Sequence, residues 1–144
     1  MLENTAIEPW RNPSFEELEA SIFPSKRKKI MVIDDDQDFR LSVCEMLVDE
    51  GYSVTTAKDG EVALNSLVHQ KDLPDLIIVD LLMPVKTGLE FRREQLQLDV
   101  ISNIPVMFLT GQGYVEGESC LLKPFDEREF KQKVRNHLAN NQIF

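Results

Sequence analysis

The chain has 144 residues, 42% of them hydrophobic, which suits one compact domain with a short extension and is too apolar for a disordered protein. No apolar run approaches the roughly 20 residues of a membrane span, and the first residues lack the basic-then-apolar layout of a signal peptide. The net charge of −9 disfavours nucleic acid as the main partner, and two cysteines are too few for a disulfide framework. We therefore expect a cytoplasmic protein that binds neither membrane nor nucleic acid.

The N-terminal part of the chain differs in pattern from the remainder. Prolines bracket the stretch SFEELEASIF, in which Phe15, Leu18 and Ile22 fall on one face of a helix. We predict an N-terminal extension over residues 1–25, with a short amphipathic helix, followed by one domain over residues 26–144.

From residue 28 onward, short apolar runs alternate with helix-like patterns. Five runs predict strands, namely KIMVI, YSVTTA, LIIVD, IPVMFLT and SCLLK. Helical periodicity follows the first, second, third and fifth of them. Strands that are nearly continuous in isoleucine, valine and leucine, and that alternate with helices, predict an α/β fold with a doubly wound, five-stranded parallel sheet.

Polar residues close four of the predicted strands. Asp34 and Asp35 follow the first strand, while Asp80, Thr110 and Lys123 end the third, fourth and fifth. Ligands of an open parallel sheet bind beyond the carboxyl ends of its strands, so we expect these side chains to meet at one edge. Crowded carboxylates repel each other, and Mg²⁺ would neutralise them while it also binds phosphate oxygens. There Asp80 would be an ionised carboxylate placed to attack phosphorus.

The segments VIDDD, IIVDLLMP, KTGLEF, IPVMFLTG and LLKPF, in this order and spacing, resemble the response-regulator receiver domains of two-component signalling. The resemblance covers roughly residues 28 to 140 and implies a flavodoxin-like fold with the strand order 2-1-3-4-5. It also implies that Asp80 accepts a phosphoryl group from a histidine kinase or phosphotransfer protein. The signal would then pass to a downstream protein target by protein–protein contacts, and the chain would not be a metabolic enzyme.

The resemblance further implies roles for the other strand-end residues. Asp35 and Asp80 would bind Mg²⁺ directly, Asp34 would bind it through water, and the backbone carbonyl of Leu82 would complete the protein's share of the coordination. Thr110 would donate a hydrogen bond to the phosphoryl group, and Lys123 would neutralise its oxygens. The peptide bond between Lys123 and Pro124 would be cis.

Two other functions use the same acids. In a haloacid dehalogenase-type aspartyl phosphatase, Asp34 would be the nucleophile and Asp36 the acid, but Asp38 stands where that family has threonine or valine. In an EF-hand calcium loop, Asp34, Asp36, Asp38 and Glu45 would be ligands. There a phenylalanine, residue 39, stands where the loop needs glycine, and a predicted strand precedes it.

The sequence departs from the receiver pattern between Thr110 and Lys123, where only twelve residues remain. This length predicts a loop in place of the fourth helix, which would be reduced or missing. Cys120 occupies the position of the family's switch aromatic, so we expect phosphorylation to persist while the output is rerouted or lost. A missing helix should expose apolar sheet surface. The face of the extension could cover that surface in its own chain or in a partner's, which makes a homodimer possible.

Overall fold

The computed structural model describes Asn12, Ser14, Phe15, Leu18 and residues 27–140. Within residues 27–140 there are five strands and four helices. The strands are β1 (Lys29–Ile33), β2 (Ser53–Ala57), β3 (Leu76–Asp80), β4 (Val106–Thr110) and β5 (Ser119–Leu122). The helices are α1 (Gln37–Asp49), α2 (Gly60–His69), α3 (Gly88–Leu96) and α4 (Glu127–Asn140).

All five strands pair in parallel in the order β2-β1-β3-β4-β5. The order confirms the predicted doubly wound, flavodoxin-like sheet. Its winding direction reverses between β1 and β3, the two strands that end next to Asp34 and at Asp80. Parallel pairing carries the carboxyl ends of all five strands to one edge of the sheet.

Alternation along the strands divides the core into two layers, because successive side chains of a strand point to opposite faces. One layer lies under α1 and α4 and contains Ile30, Val32, Val43, Leu47, Leu76, Ile78, Met107, Leu109, Leu121, Phe130, Val134 and Leu138. The other lies under α2 and α3 and contains Met31, Ile33, Ala63, Leu67, Ile77, Val79, Phe91, Ile104, Val106, Phe108 and Cys120. Both faces of the sheet are therefore covered, which explains the nearly unbroken apolar strands.

Helix starts are fixed by local side-chain bonds. Asp36 and Asp59 cap α1 and α2 by accepting the backbone N–H of the residue three positions on. Thr87 and Glu90 form a reciprocal capping box at the start of α3. The Asp36 cap thereby starts α1 at Gln37, close to the acids that follow β1, and the capping box starts α3 at Gly88, after the loop that follows Asp80.

The segment between β4 and β5 contains no helix, as its length predicts. Residues 111–118 form a loop whose Val115 packs against the core layer under α2 and α3. The Val115 N–H donates to the Cys120 sulfur at 3.3 Å. Val106, Phe108 and Cys120, the strand residues on this face, are at most 9% exposed. The expectation of bare apolar sheet surface is therefore wrong, because the loop folds back onto the strands that a helix would cover.

Two residues of the predicted N-terminal helix, Phe15 and Leu18, are helical in the structure, and the Leu18 N–H donates to the Ser14 carbonyl. Their side chains are 75% and 45% exposed, and neither belongs to the two core layers formed by the described residues. Ile22, the third residue of the predicted face, lies outside the described residues. None of the helices formed by the described residues has the length and apolar character needed to cross a bilayer.

Candidate functional site

Three carboxylates meet at the carboxyl edge of the sheet. One oxygen from each of Asp34, Asp35 and Asp80 lies within 4.8 Å of the others. Asp34 is buried, Asp80 is partly buried and Asp35 is exposed. The strand-end acids from β1 and β3 therefore converge as predicted, with Asp35 on the solvent side of the cluster.

Lys123 supplies a positive charge to this cluster from the end of β5. Its ammonium nitrogen lies 3.3 Å from Asp34 Oδ2 and 3.6 Å from Asp80 Oδ1. The Lys123 N–H donates to the Thr110 carbonyl at 2.7 Å, and the Lys123–Pro124 peptide bond is cis, as the resemblance implies. One ammonium thus faces two carboxylates, and three acids gathered around a single lysine leave an excess of negative charge.

The pKa of Asp80 reflects both its burial and this excess. Burial raises the pKa of Asp80 above its ordinary value, and the neighbouring Asp34 and Asp35 charges raise the pKa further. Lys123 and a hydrogen bond from the Leu82 backbone N–H act in the opposite direction on this pKa without overcoming the rise. The carboxylate of Asp80 is therefore held in an environment that favours an additional cation.

The buried Asp34 is fixed by bonds that leave little freedom to its backbone or its side chain. Its N–H donates to the Ala57 carbonyl, its carbonyl accepts from Arg40 Nη1 at 2.6 Å, and its Oδ1 accepts the Asp36 N–H at 2.9 Å. Oδ2 is left to Lys123. Asp34 is consequently held in one position, and its Oδ2 helps to place the ammonium of Lys123.

The loop after β3 brings α3 unusually close to Asp80. A Cβ atom on Gly88 would lie 2.5 Å from the Asp80 carbonyl oxygen, so only glycine fits at this position. Val85 in the same loop has a φ of 69°, and the Lys86 N–H donates to the Pro84 carbonyl around it. This tight turn strains a β-branched residue in the loop between β3 and α3.

Thr110 ends β4 next to the cluster, but its hydroxyl is bonded within its own loop. Thr110 Oγ1 donates to the Gln112 carbonyl at 2.7 Å and accepts the Gln112 N–H at 3.1 Å. The side chain is almost fully buried. The structure thus brings Asp34, Asp35, Asp80 and Lys123 into contact, while the Thr110 hydroxyl is adjacent and engaged elsewhere.

Sequence reasoning missed three residues that shape the site. Arg40 anchors the Asp34 carbonyl, Phe39 lies against Lys123, and Gly88 allows the approach of α3. Only Gly88 had a visible signal, as the glycine of the KTGLEF segment. The Phe39 contact depends on where the first turn of α1 meets the end of β5, and the Arg40 contact depends on how α1 packs beside the end of β1; no local pattern reveals either contact.

The residues present suit a divalent cation of the magnesium kind. Mg²⁺ takes carboxylate oxygens and retains several waters, and the cluster offers one buried, one partly buried and one exposed carboxylate. Burial is the main cause of the raised pKa of Asp80, and the Asp34 and Asp35 charges add to it, so an added cation would favour the ionised carboxylate. Leu82 lies beside the cluster, since its N–H bonds the Asp80 carboxylate.

The two competing interpretations do not fit this geometry. Asp34, the nucleophile of the phosphatase alternative, is 1% exposed, and its oxygens accept hydrogen bonds from Asp36 and Lys123, so it is not presented to an external substrate as a nucleophile. The EF-hand alternative fails because α1 begins at Gln37 and contains Asp38 and Glu45, which leaves no calcium loop. Asp36 caps that helix instead.

A parallel 2-1-3-4-5 sheet with acids at the ends of β1 and β3 and a lysine at the end of β5 defines a receiver domain. The family model of the response regulator receiver domain matches residues 30–135, and the chain belongs to this family. It is a family of signalling proteins, not of metabolic enzymes, and the phosphatase alternative finds no support among the relatives.

Individual relatives agree with this membership. The probable transcriptional regulator ycf29 of Pyropia yezoensis is 34% identical over 124 residues, which cover 80% of this chain and 55% of the relative. The chemotaxis protein CheY4 of Vibrio cholerae has 30% identity and a TM-score of 0.71, covering 78% of this chain and 100% of that structure. A putative response regulator from Chloroflexus aurantiacus has 31% identity and a TM-score of 0.72, covering 79% and 99%. The chain spans about half the length of the curated relatives it matches.

Proposed function

We propose that this chain is a receiver that accepts a phosphoryl group on Asp80 and passes the signal on by protein–protein contacts. One observation carries the proposal. Asp80 is the partly buried carboxylate with an oxygen within 4.8 Å of oxygens of two further acids, and its Oδ1 lies 3.6 Å from the ammonium nitrogen of Lys123. The open side of the cluster leaves Asp80 accessible to a donor, whereas Asp34 is enclosed.

In the proposed reaction, an Asp80 carboxylate oxygen attacks the phosphorus of a phosphohistidine. The new oxygen–phosphorus bond forms in line with the breaking phosphorus–nitrogen bond, and the imidazole leaves with its electron pair. The Lys123 ammonium then pairs with a phosphoryl oxygen instead of the Asp80 carboxylate. The chain thus takes part in its own phosphorylation, and the acceptor of the phosphoryl group is its own Asp80.

Asp34, Asp35, Asp80 and the Leu82 carbonyl would hold Mg²⁺ in this reaction. When bound, Mg²⁺ supplies positive charge that lowers the repulsion between the acids and the incoming phosphoryl oxygens. The side chain of Leu82 is 65% exposed and apolar, and it cannot orient a water for attack on the phosphorylated Asp80. We therefore expect slow hydrolysis of the acyl phosphate.

A small phosphodonor tests the assignment directly. Wild-type protein incubated with acetyl phosphate and Mg²⁺ should gain one phosphoryl group by intact mass, and Asp80→Asn should gain none. Asp38→Asn is a matched control, since Asp38 is an exposed acid in the first turn of α1 outside the three-acid cluster. Phosphorylation that persists in Asp80→Asn, or that does not need Mg²⁺, would contradict the proposal.

The partners follow from this chemistry. We infer that a histidine kinase or a phosphotransfer protein of the cytoplasm donates the phosphoryl group. We propose that the phosphorylated chain then passes the signal to a downstream protein by direct contact. A homodimer formed through the exposed Phe15 and Leu18 face of the extension is a further possibility, and its test is the molar mass in solution with and without residues 1–25.

The output route would start at Thr110. A phosphoryl oxygen on Asp80 would compete with the Gln112 carbonyl for the Thr110 hydroxyl hydrogen and would thereby release one anchor of the loop over residues 111–118. Cys120 holds the other end of this loop through Val115. Beryllofluoride with Mg²⁺ should therefore shift the backbone amide resonances of this loop in wild type and leave them in place in Thr110→Val. Equal shifts in both proteins would refute this route.

A further inference from the structure

An aromatic ring covers one side of the site lysine. The Lys123 ammonium nitrogen lies 4.0 Å from the centroid of the Phe39 ring, over its face. This distance is well inside the range in which a ring face attracts a cation. Phe39 belongs to the first turns of α1, directly after the acidic segment, and it is half-buried. The ammonium is thus contacted by Asp34 and Asp80 and also by an uncharged group.

The ring is itself held in place by an aromatic stack. Phe39 meets Phe125 edge to face, with 6.1 Å between centroids, and Phe125 stacks on Phe130 with 5.2 Å between centroids. Phe130 is completely buried in the core layer under α1 and α4. The stack therefore connects the core to the face that Phe39 presents to Lys123, and it leaves the ring little freedom to turn away.

We propose that Phe39 is a positioning residue that holds the Lys123 ammonium against the carboxylates by a cation–π contact. Lysine ends in a point charge on a flexible four-carbon stem, and it loses rotamer freedom when it is confined at a site. A negative ring face attracts the ammonium without competing as a hydrogen-bond acceptor, so all three N–H donors stay available to the acids and to a phosphoryl group.

The proposal rests on the function proposed above and deepens it, because it identifies what orients the lysine before the donor arrives. The contact is specific to a cation over an aromatic face. An aliphatic residue of similar size would keep the apolar packing against Phe125 but would lose the attraction. This difference separates a positioning role from ordinary packing.

Substitutions at residue 39 make the first test. With acetyl phosphate and Mg²⁺, Phe39→Leu should phosphorylate about threefold to tenfold more slowly than wild type, and Phe39→Trp should stay within about twofold. Mg²⁺ affinity, measured without phosphodonor, should change by less than about twofold in both variants, since the ring touches Lys123 and none of the three acids. Equal rates for wild type and Phe39→Leu, or a loss of rate shared by Phe39→Trp, would overturn the proposal.

A second measurement does not depend on phosphorylation. The ε-methylene protons of Lys123 should show an upfield ring-current shift in wild type, should lose it in Phe39→Leu and should keep it in Phe39→Trp. Incorporation of phenylalanines with one, two and three fluorines at residue 39 keeps the shape and should slow phosphorylation stepwise. A missing upfield shift in wild type, or rates insensitive to fluorination, would reject the role of the ring.

The two levels of the hypothesis fail differently. If wild-type protein accepts no phosphoryl group, the proposed function fails, and the lysine resonances still report whether the ring holds the ammonium. If wild type is phosphorylated on Asp80 and Phe39→Leu matches it in rate and in lysine shift, only the inference about Phe39 fails.

Discussion

The ammonium of Lys123 lies 3.3 Å from the carboxylate of Asp34, although 89 positions separate the two residues in sequence. Asp34 is 1% exposed and cannot move toward solvent, so the contact places Lys123 beside Asp80 as well. The site is therefore organised around a partly buried ion pair, with the partly buried Asp80 as the second carboxylate that the ammonium faces. The predictions below follow from this arrangement and from the loops that enclose it.

Removal of the Asp80 charge should stabilise the protein when Mg²⁺ is absent. Burial and the Asp34 charge disfavour the ionised Asp80 side chain in the folded state, and its pKa is raised. Asp80→Asn should therefore raise Tm at neutral pH by a few degrees. Because the folded state binds this proton more tightly than the unfolded chain, the advantage of Asp80→Asn should shrink as the pH falls through the raised pKa.

Added Mg²⁺ should reverse this order, raising the Tm of wild type more than that of Asp80→Asn. Thermal unfolding followed by circular dichroism, with and without Mg²⁺, measures the Tm change of each protein. Asp38→Asn is the control and should lose a few tenths of a kcal/mol, since a negative charge in the first turn of a helix is favourable. If Asp80→Asn has a lower Tm than wild type without Mg²⁺, the ionised Asp80 does not destabilise the folded state, and the prediction is wrong.

His137 should make the protein less stable in mild acid. Its Nε2 lies 2.8 Å from the Ser119 hydroxyl, and burial lowers its pKa below the ordinary value. The unfolded chain binds a proton at His137 before the folded chain does, so stability from this group is present above pH 6.5 and is lost as the pH falls below it.

Urea unfolding between pH 7.5 and 5.5 measures this loss. His137→Gln should flatten the pH dependence, whereas His69→Gln, which changes an exposed histidine at the end of α2, should leave it as in wild type. The same slope in all three proteins would show that His137 does not contribute.

Gly88→Ala should destabilise the protein and disturb the site. The added Cβ would meet the Asp80 carbonyl oxygen at 2.5 Å, so α3 or the end of β3 must shift. Forced overpacking of this kind costs about 1–3 kcal/mol. Gly111→Ala is a matched control, because nothing lies within 4 Å of a Cβ at that position. Urea midpoints that are equal for the two variants would disprove the close approach.

Cys120→Ala should loosen the loop between β4 and β5. The Cys120 sulfur accepts the Val115 N–H, and alanine removes both this acceptor and a buried group next to Phe108. We expect a loss of about 1–2 kcal/mol in stability and faster hydrogen exchange at the Val115 amide. Cys44→Ala, which alters a partly buried thiol on α1, should leave the exchange of Val115 unchanged. Unaltered exchange at Val115 in Cys120→Ala would be the contrary result.

Much of the fold could be predicted from the sequence, because each strand is a short apolar run and each helix shows apolar residues at helical spacing. The strand ends at Asp34, Asp80 and Thr110 were visible for the same reason, since a polar residue after a buried run marks where the chain leaves the core. The short β4–β5 connection was predictable from its length alone. The cover over this part of the sheet was not predictable. It comes from Val115, which folds back onto Cys120, and a loop residue of this kind leaves no periodic pattern in the sequence.

The sequence by itself determined which chemical groups stand at the strand ends and that a parallel sheet would gather them. Only the tertiary structure decided the burial and the contacts of each of these groups. Burial of Asp34, exposure of one side of Asp80 and the ring of Phe39 over Lys123 arise from how α1, β3 and β5 meet in space. Local residue patterns specify periodicity and charge, but the dielectric environment and the neighbours of a side chain depend on segments far away in sequence.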